Sequence, residues 1–216
     1  KAGDCYQINL TQEFSAQAKG SVLATAEQFW QLTNAPYAGY LRVGEFELLS
    51  CSPELFIDFQ SERRIITKPI KGTMPRYTDP ILDEQSKQTL KNSEKDQAEN
   101  VMIVDLLRND LSVYAETGSV KTPKLFNIES FNQVHHMVSE VQATLKKDVN
   151  PFNVLMSALP GGSITGAPKI RAMQIIEELE DAPRGAYCGS MGYFNFDGTG
   201  SWNILIRSIQ KYQNEM

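Results

Sequence analysis

Strand-like and helix-like apolar patterns alternate along the whole chain. Runs of β-branched and aromatic residues predict strands over residues 5–10, 38–43, 46–50, 55–59, 64–70, 127–145, 187–196 and 202–212. Apolar residues at helical spacing predict helices over residues 25–32, from near Leu82, over 93–109, over 152–159 and from the Gly-rich loop at 161–166 to near Glu180.

Local signals mark where several of these elements start and stop. Ser93 with Asp96 three residues later resembles a capping box, which makes the helix over 93–109 the clearest in the chain. Gly72 and Pro75 predict a loop after Lys71, and the Asp-Gly pair in 197–200 predicts a hairpin. Strands grouped as hairpins, with helices between them, favour an α+β fold over a doubly wound parallel sheet.

Composition excludes several classes of protein. The 216 residues carry 41% hydrophobic and 22% charged side chains, enough for one core, and no linker or fixed-period repeat divides them. A formal net charge of -5 has the wrong sign for a nucleic-acid footprint, and no apolar run approaches membrane-spanning length. Three widely spaced cysteines suit a reducing, cytoplasmic setting better than a disulfide framework.

Two residues are candidates for acid and nucleophilic catalysis. Lys71, at a predicted strand end before Gly72, becomes a nucleophile if burial lowers its pKa, although exposed lysines are common. Glu54 becomes a general acid if burial raises its pKa, and is otherwise an ordinary strand-edge glutamate.

Asp96 and Glu99 lie three residues apart on the predicted helix, so both carboxylates project from one face. This arrangement suits a hard cation such as Mg²⁺, which often takes its remaining ligands from water and substrate. Acidic residues near a helix N-terminus are also favoured by the helix dipole alone. The spacing leaves both interpretations open.

Candidate binding residues come from three further stretches. His135 and His136 are adjacent on a predicted strand and therefore point to opposite faces, which argues against a shared metal. The loop at 161–166, with Gly162, Ser163 and Thr165, is either a carboxylate cradle or a simple helix start. Arg207, within an apolar strand-like run, is expected to be buried and to need an anionic partner, from a substrate or from the chain itself.

Together these stretches resemble the chorismate-utilising enzymes over nearly all 216 residues. The resemblance is closest to enzymes that form 4-amino-4-deoxychorismate for 4-aminobenzoate and folate synthesis. Anthranilate synthases usually carry alanine where this chain has Lys71. The motifs, in the family's order, are Gly3-Asp4-Cys5-Tyr6-Gln7, Ser52-Pro53-Glu54, Pro69-Ile70-Lys71-Gly72-Thr73, the segment from Asp96 to Asp110, Val134-His135-His136, Gly161 to Lys169, and Cys188-Gly189-Ser190-Met191-Gly192-Tyr193.

The resemblance implies a role for each candidate. Lys71 would add to C2 of chorismate while Glu54 assists departure of the C4 hydroxyl, and ammonia from a glutamine amidotransferase subunit would then enter at C4 and expel the lysine. Glu99, with Asp96 beside it, would bind Mg²⁺. The substrate-binding residues would be His136, Gly162, Ser163, Thr165, Tyr187 and Arg207.

The resemblance also implies a fold, a sandwich of largely antiparallel sheets with helices outside. Residues 1–216 would be a single chorismate-binding catalytic domain. Relatives carry an extra N-terminal portion and a final metal-binding helix, so we expect a chain ending at Met216 to hold half a metal site and to have weak or no activity alone. The alternatives are an anthranilate or isochorismate synthase, or a non-catalytic chorismate-binding module.

Overall fold

A computed structural model describes residues 3–216. The strands are β1 (Gln7–Ile8), β2 (Tyr37–Val43), β3 (Phe46–Ser52), β4 (Leu55–Phe59), β5 (Arg64–Lys68), β6 (Ile70–Pro75), β7 (Lys121–Ser130), β8 (Val134–Thr144), β9 (Gly166–Ala167), β10 (Gly192–Phe194), β11 (Gly200–Asn203) and β12 (Ser208–Tyr212). The helices are α1 (Leu23–Thr33), α2 (Pro80–Lys91), α3 (Glu94–Ser112), α4 (Pro151–Ala158), α5 (Gly162–Thr165) and α6 (Lys169–Leu179).

Every strand pairing between these elements is antiparallel. The largest sheet has seven strands in the order β10-β11-β4-β5-β8-β6, and β7 also pairs with β8. A second sheet has the order β12-β3-β2, and β1 pairs with β9. The predicted α+β class with antiparallel sheets is therefore confirmed.

The main core lies between the large sheet and the helices α3 and α4. Ile57 and Ile65 from the sheet and Leu111 from α3 are completely buried. Burying such a side chain stabilises the fold by roughly 1.5–3 kcal/mol. A smaller core lies under α1, where Ala26 packs against Leu49 of β3. Among residues 3–216, no helix has the length and hydropathy needed to cross a membrane.

The predicted helices form, and side chains cap three of them. The Ser93 hydroxyl accepts a hydrogen bond from the Asp96 amide at 3.3 Å, as the capping-box pattern predicts. Asp79 caps α2 in the same manner, through the amides of Ile81 and Leu82. Asn150 caps α4, whose first residue is Pro151.

Two predicted strand assignments in the large sheet were wrong. Residues 127–145 are not one strand but the second half of β7, a turn and β8. The first half of β7 was missed because Lys121 to Leu125 are mostly exposed and polar, without apolar alternation. The loop predicted after Lys71 begins later than expected, at residues 76–79 before α2, because the chain stays extended to Pro75, where β6 pairs with β8.

The predicted terminal strands are shorter than expected. Residues 5–10 contain only the two-residue β1, and residues 187–196 contain only β10. Residues 202–212 divide between β11 and β12, which belong to different sheets. The chain turns a corner between them at Arg207, whose φ of 52° ends the extended run. The predicted hairpin at 197–200 is confirmed, since β10 pairs with β11.

Candidate active site

One cavity of about 310 Å³ opens between the two larger sheets and the Gly-rich loop. Six of the ten residues to which the resemblance assigns a role line it, namely Glu54, Lys71, His136, Ser163, Tyr187 and Arg207. Lys71 lies on β6, His136 on β8 and Ser163 on α5. The others lie in connections: Glu54 in the turn before β4, Tyr187 before β10 and Arg207 before β12. Residues more than 150 positions apart in sequence therefore share one site.

Lys71 extends its side chain from β6 into this cavity. Its Nζ donates hydrogen bonds to the Ser163 carbonyl oxygen at 2.9 Å and to Asn9 Oδ1 at 3.4 Å. Burial lowers the pKa of the Lys71 ammonium, against the opposing charges of Glu54 and Glu99. A lowered pKa makes the neutral, nucleophilic amine easier to reach.

Glu54 lies at the tight turn from β3 into β4 and is only 4% exposed. Its amide donates to Ser52 Oγ at 3.2 Å, and its carbonyl oxygen accepts from the Ile204 amide at 3.1 Å, so the backbone is held on both sides. Burial raises the pKa of Glu54 to about 7, although the Ser163 hydroxyl and the Lys71 charge act in the other direction. Such a carboxyl group can hold a proton near neutral pH and donate it.

His136 and Arg207 form another part of the cavity wall. Arg207 Nη2 and His136 Nε2 are 3.2 Å apart, and Thr73 Oγ1 and His136 Nδ1 are 2.9 Å apart. A guanidinium can only donate, so His136 Nε2 accepts and its proton is on Nδ1, which donates to Thr73. Burial and the Arg207 charge lower the pKa of His136 to about 4, which keeps the ring neutral.

Arg207 is solvent-exposed at the cavity mouth, so the expectation that it is buried was wrong. Arg207 lies outside both strands, at the corner between β11 and β12, which belong to different sheets. Within residues 3–216 its guanidinium forms no salt bridge with a carboxylate, and its side chain is hydrogen-bonded to His136. A cation without an anionic partner at a cavity mouth is suited to an anionic ligand.

The two adjacent histidines point to opposite faces, as predicted. His135 contacts Ser130 Oγ at 2.8 Å and Asp83 Oδ1 at 3.1 Å, on the side of β8 facing α2. His135 itself is buried, and none of these three residues lines the cavity. It fixes the start of β8, the strand that presents His136.

The Gly-rich loop forms the single turn α5 and then β9, so its carbonyl groups and not its amides meet Lys71. Gly162 packs against α3, where a Cβ would lie 2.2 Å from Leu106 Cδ2. Thr165 is buried and its hydroxyl donates to the Gly161 carbonyl oxygen at 3.0 Å. Neither Gly162 nor Thr165 lines the cavity, and both support the turn that places Ser163. Their direct role in substrate binding stays a prediction.

Asp96 and Glu99 lie beside the cavity on the first turns of α3. Asp96 packs against Gly72, whose φ of +91° and lack of a side chain permit the approach, since a Cβ would lie 2.9 Å from Asp96 Cβ. Glu99 Oε2 accepts from Gln7 Nε2 at 3.3 Å.

These acidic side chains fit part of a magnesium site. They supply the carboxylate oxygens that Mg²⁺ prefers, and the buried Gln7 Oε1 nearby has no hydrogen-bond partner. Among residues 3–216, no group of three or more His, Cys, Asp or Glu side chains is arranged to hold a metal. Two carboxylates would leave most of the coordination shell to water and substrate.

Sequence reasoning missed Asn9 and Arg184. Asn9 contacts both Lys71 and the Ser163 carbonyl oxygen, which it reaches through Nδ2 at 3.1 Å. No alternation along residues 9–11 marks it, because Asn9, the 98% exposed Leu10 and Thr11 all line the cavity. Arg184 was missed although Glu180 lies four residues before it, because its contacts with the Ile164 and Asn9 carbonyl oxygens join distant segments.

The chain is similar in sequence to two kinds of chorismate enzyme. The chain is 48% identical over 215 residues to aminodeoxychorismate synthase component 1 of Salmonella typhimurium, covering all of this chain and 47% of that protein. It is 42% identical over 209 residues to anthranilate synthase component 1 of Bacillus subtilis, covering 97% of this chain and 40% of that protein. The chain thus spans about half the length of such relatives.

A solved structure of a related enzyme has a similar fold. Anthranilate synthase component I from Streptococcus pneumoniae superposes with a TM-score of 0.89 and 32% identity, covering 99% of this chain and 47% of that one. The family model described as chorismate binding enzyme matches residues 1–216. The chain therefore belongs to the chorismate binding enzyme family.

Proposed function

We propose that this chain carries the catalytic site of an aminodeoxychorismate synthase, which converts chorismate and ammonia to 4-amino-4-deoxychorismate and water. The observation that carries the proposal is the pairing of Lys71 and Glu54 in one cavity, with burial moving their two pKa values toward each other. A nucleophile that loses its proton easily and an acid that keeps its proton near neutral pH are the two groups that this substitution needs.

In the first step, neutral Lys71 Nζ adds to C2 of chorismate. The two conjugated ring double bonds shift as the C4–O bond breaks, and protonated Glu54 gives its proton to the departing hydroxyl, which leaves as water. The lysine is then bonded to C2 and Glu54 is ionised. Covalent catalysis divides one difficult substitution into two easier ones.

In the second step, ammonia adds at C4 and the electron pair of the C2–nitrogen bond returns to Lys71. The excess proton of the entering ammonia passes to Glu54, which regenerates the acid. The Ser163 carbonyl oxygen and Asn9 Oδ1 hold Lys71 Nζ in place between the two steps.

Substrate orientation would rest on the cavity wall. Arg207 has a free guanidinium face for a substrate carboxylate, and neutral His136 with Tyr187 would line the ring. Asp96 and Glu99 would hold Mg²⁺, which when bound neutralises a ring carboxylate. The ammonia would come from a glutamine amidotransferase subunit, a partner consistent with the component numbering of the relatives.

The competing proposal is anthranilate synthesis, because a relative named anthranilate synthase component 1 is 42% identical to this chain. Lys71 inside the cavity favours amination at C4, since anthranilate formation puts nitrogen at C2, the carbon that Lys71 would occupy. A non-catalytic binding module would not need Lys71 and Glu54 to face the same space.

Product analysis tests the proposal. The full-length gene product that carries this chain, supplied with chorismate, Mg²⁺ and ammonium, is expected to give 4-amino-4-deoxychorismate on liquid chromatography with mass detection. The Lys71→Ala variant is expected to give none. Anthranilate or isochorismate as the main product would support the competing enzymes, and chorismate binding without turnover would support the binding module.

A further inference from the structure

Behind the cavity, Arg184 uses Nη1 and Nη2 to join segments that are far apart in sequence. Nη1 donates to the Ile164 carbonyl oxygen at 3.1 Å, and Nη2 donates to the Asn9 carbonyl oxygen at 3.3 Å. Nη1 also lies 3.5 Å from Cys188 Sγ. Asn9, Ile164 and Cys188 all line the cavity.

Glu180 holds this guanidinium in place. Arg184 Nε lies 3.1 and 2.9 Å from the two Glu180 oxygens, and Nη2 lies 2.6 Å from Oε1. Glu180 also accepts from Thr11 Oγ1 at 2.8 Å, which adds another cavity residue to the network. The Arg184 side chain is only 14% exposed, so its charge is partly desolvated and strongly paired.

The two segments also meet directly, since the Asn9 amide donates to the Thr165 carbonyl oxygen and Asn9 Nδ2 donates to the Ser163 carbonyl oxygen, both at 3.1 Å, and Arg184 adds a second link between them. The segment with Asn9 includes the short pairing of β1 with β9, and its Leu10 is 98% exposed. The turn with Ile164 has only four helical residues. Both segments nevertheless supply an acceptor to Lys71 Nζ, at Asn9 Oδ1 and the Ser163 carbonyl oxygen.

We propose that Arg184, oriented by Glu180, is a positioning residue that sets the two acceptors of Lys71 by tying the Asn9 segment to the Gly-rich turn. Arg184 does not touch the substrate cavity's reacting groups, and it acts through Asn9 and Ser163. The expected effect of Arg184 on catalysis rests on the proposed function. The hydrogen-bonded link between the two segments does not depend on that function.

Hydrogen exchange followed by mass spectrometry tests the tether directly in the full-length gene product. The Arg184→Ala variant is expected to exchange faster in peptides covering residues 5–14 and 159–167 than the parent does. The matched control is Arg108→Ala, which removes an exposed arginine paired with Asp105. Unchanged exchange in both peptides of Arg184→Ala would overturn the proposal, whatever the enzyme's activity.

Enzyme kinetics test the effect of Arg184 on catalysis. Arg184→Ala is expected to lower kcat for chorismate amination by about tenfold or more, because small displacements of a nucleophile are costly, with KM for chorismate changed by less than about threefold. Methylguanidinium is expected to restore part of kcat in Arg184→Ala and none in Glu180→Ala. A loss of kcat that matches the unfolded fraction by circular dichroism, without rescue, would overturn a positioning role.

A second variant covers the case in which Arg184→Ala does not fold. Arg184→Lys keeps the charge near Glu180 but cannot reach both carbonyl oxygens, so the same split between kcat and KM is expected in a folded protein. Full activity of Arg184→Lys would contradict the proposal. If the parent itself forms no 4-amino-4-deoxychorismate, the proposed function fails, and the exchange experiment alone decides the tether.

Discussion

Lys71 Nζ lies 2.9 Å from the carbonyl oxygen of Ser163, a contact between β6 and the Gly-rich turn across 92 positions of sequence. The turn therefore presents an acceptor to the nucleophile, not the amide groups of an anion cradle. This contact places Lys71 in the cavity with Glu54, and the chemistry proposed for the protein follows from that pair.

The pH dependence of amination should report Glu54. With the pKa of Glu54 near 7, the acid is protonated below that pH, so kcat/KM is expected to fall as pH rises through about 7. The Glu54→Gln variant should lose most activity and this limb of the profile, and Glu94→Gln on the exposed start of α3 serves as the control. A parent profile that stays flat from pH 6 to 9 would contradict the role of Glu54.

Glu54 should also affect stability, and the sign follows from its raised pKa. The folded state holds this proton more tightly than the unfolded state, so its contribution is complete below the ordinary pKa of 4.5 and is lost as pH rises through about 7. At pH 8 the free energy of unfolding of Glu54→Gln should therefore exceed that of the parent by up to roughly 3 kcal/mol. Urea titrations at pH 5 and pH 8 measure the difference. A variant less stable than the parent at pH 8 would contradict the desolvation of this carboxyl group.

His136 should remain neutral, with its proton on Nδ1, throughout the physiological range. Its pKa of about 4 means that the ring gains a proton only in acid. The resulting stabilisation is present above the ordinary pKa of 6.5 and is lost as pH falls through about 4. Nitrogen chemical shifts from nuclear magnetic resonance identify the tautomer and the midpoint. A proton on Nε2, or a midpoint above 6, would contradict the Arg207–His136–Thr73 arrangement.

Arg207 should contribute to chorismate affinity more than to folding. Arg207→Gln is expected to weaken chorismate binding by about tenfold or more in calorimetry, because hydrogen bonds to charged groups contribute about 1.5–3 kcal/mol. The exposed Arg42, whose Nε donates to the Gly44 carbonyl oxygen, offers a matched control in Arg42→Gln. Equal affinities for the parent and Arg207→Gln would remove Arg207 from the binding site.

Glu99 should couple magnesium binding to chorismate binding. Glu99→Gln is expected to weaken Mg²⁺ binding by about tenfold or more, and to reduce the gain in chorismate affinity that Mg²⁺ provides. Calorimetric titration of Mg²⁺ and of chorismate, each with and without the other, measures both effects. Glu94→Gln is again the control, and unchanged Mg²⁺ affinity in Glu99→Gln would contradict the site.

The sequence predicts the helices well because their signals are local. The cap at Ser93 and the apolar spacing that follows are decided within one element, and α3 begins where they indicate. Sheet edges are less predictable, because β6 stays extended to Pro75 only through pairing with β8, which no local pattern records. The corner at Arg207 is likewise a consequence of two sheets meeting.

The site was predictable to the extent that motifs name its residues. Lys71, Glu54, His136 and Arg207 face one cavity, as the resemblance implies. Asn9 and Arg184 were not predicted because their contacts join distant segments of the chain. Arg184, for example, donates to the Asn9 carbonyl oxygen across 175 positions. Their function is a property of tertiary packing and not of spacing along the chain.

Trapping the covalent intermediate tests the role of Lys71 most directly. The full-length gene product is incubated with chorismate and Mg²⁺ but no ammonia, its intact mass is measured, and any adduct is located by peptide digestion. Lys68→Ala on β5 serves as the control for Lys71→Ala, because Lys68 pairs with Glu140 outside the cavity. We expect an adduct of chorismate minus water on Lys71, present in Lys68→Ala and absent in Lys71→Ala. An unmodified Lys71 in a protein that still converts chorismate would contradict covalent catalysis by this residue.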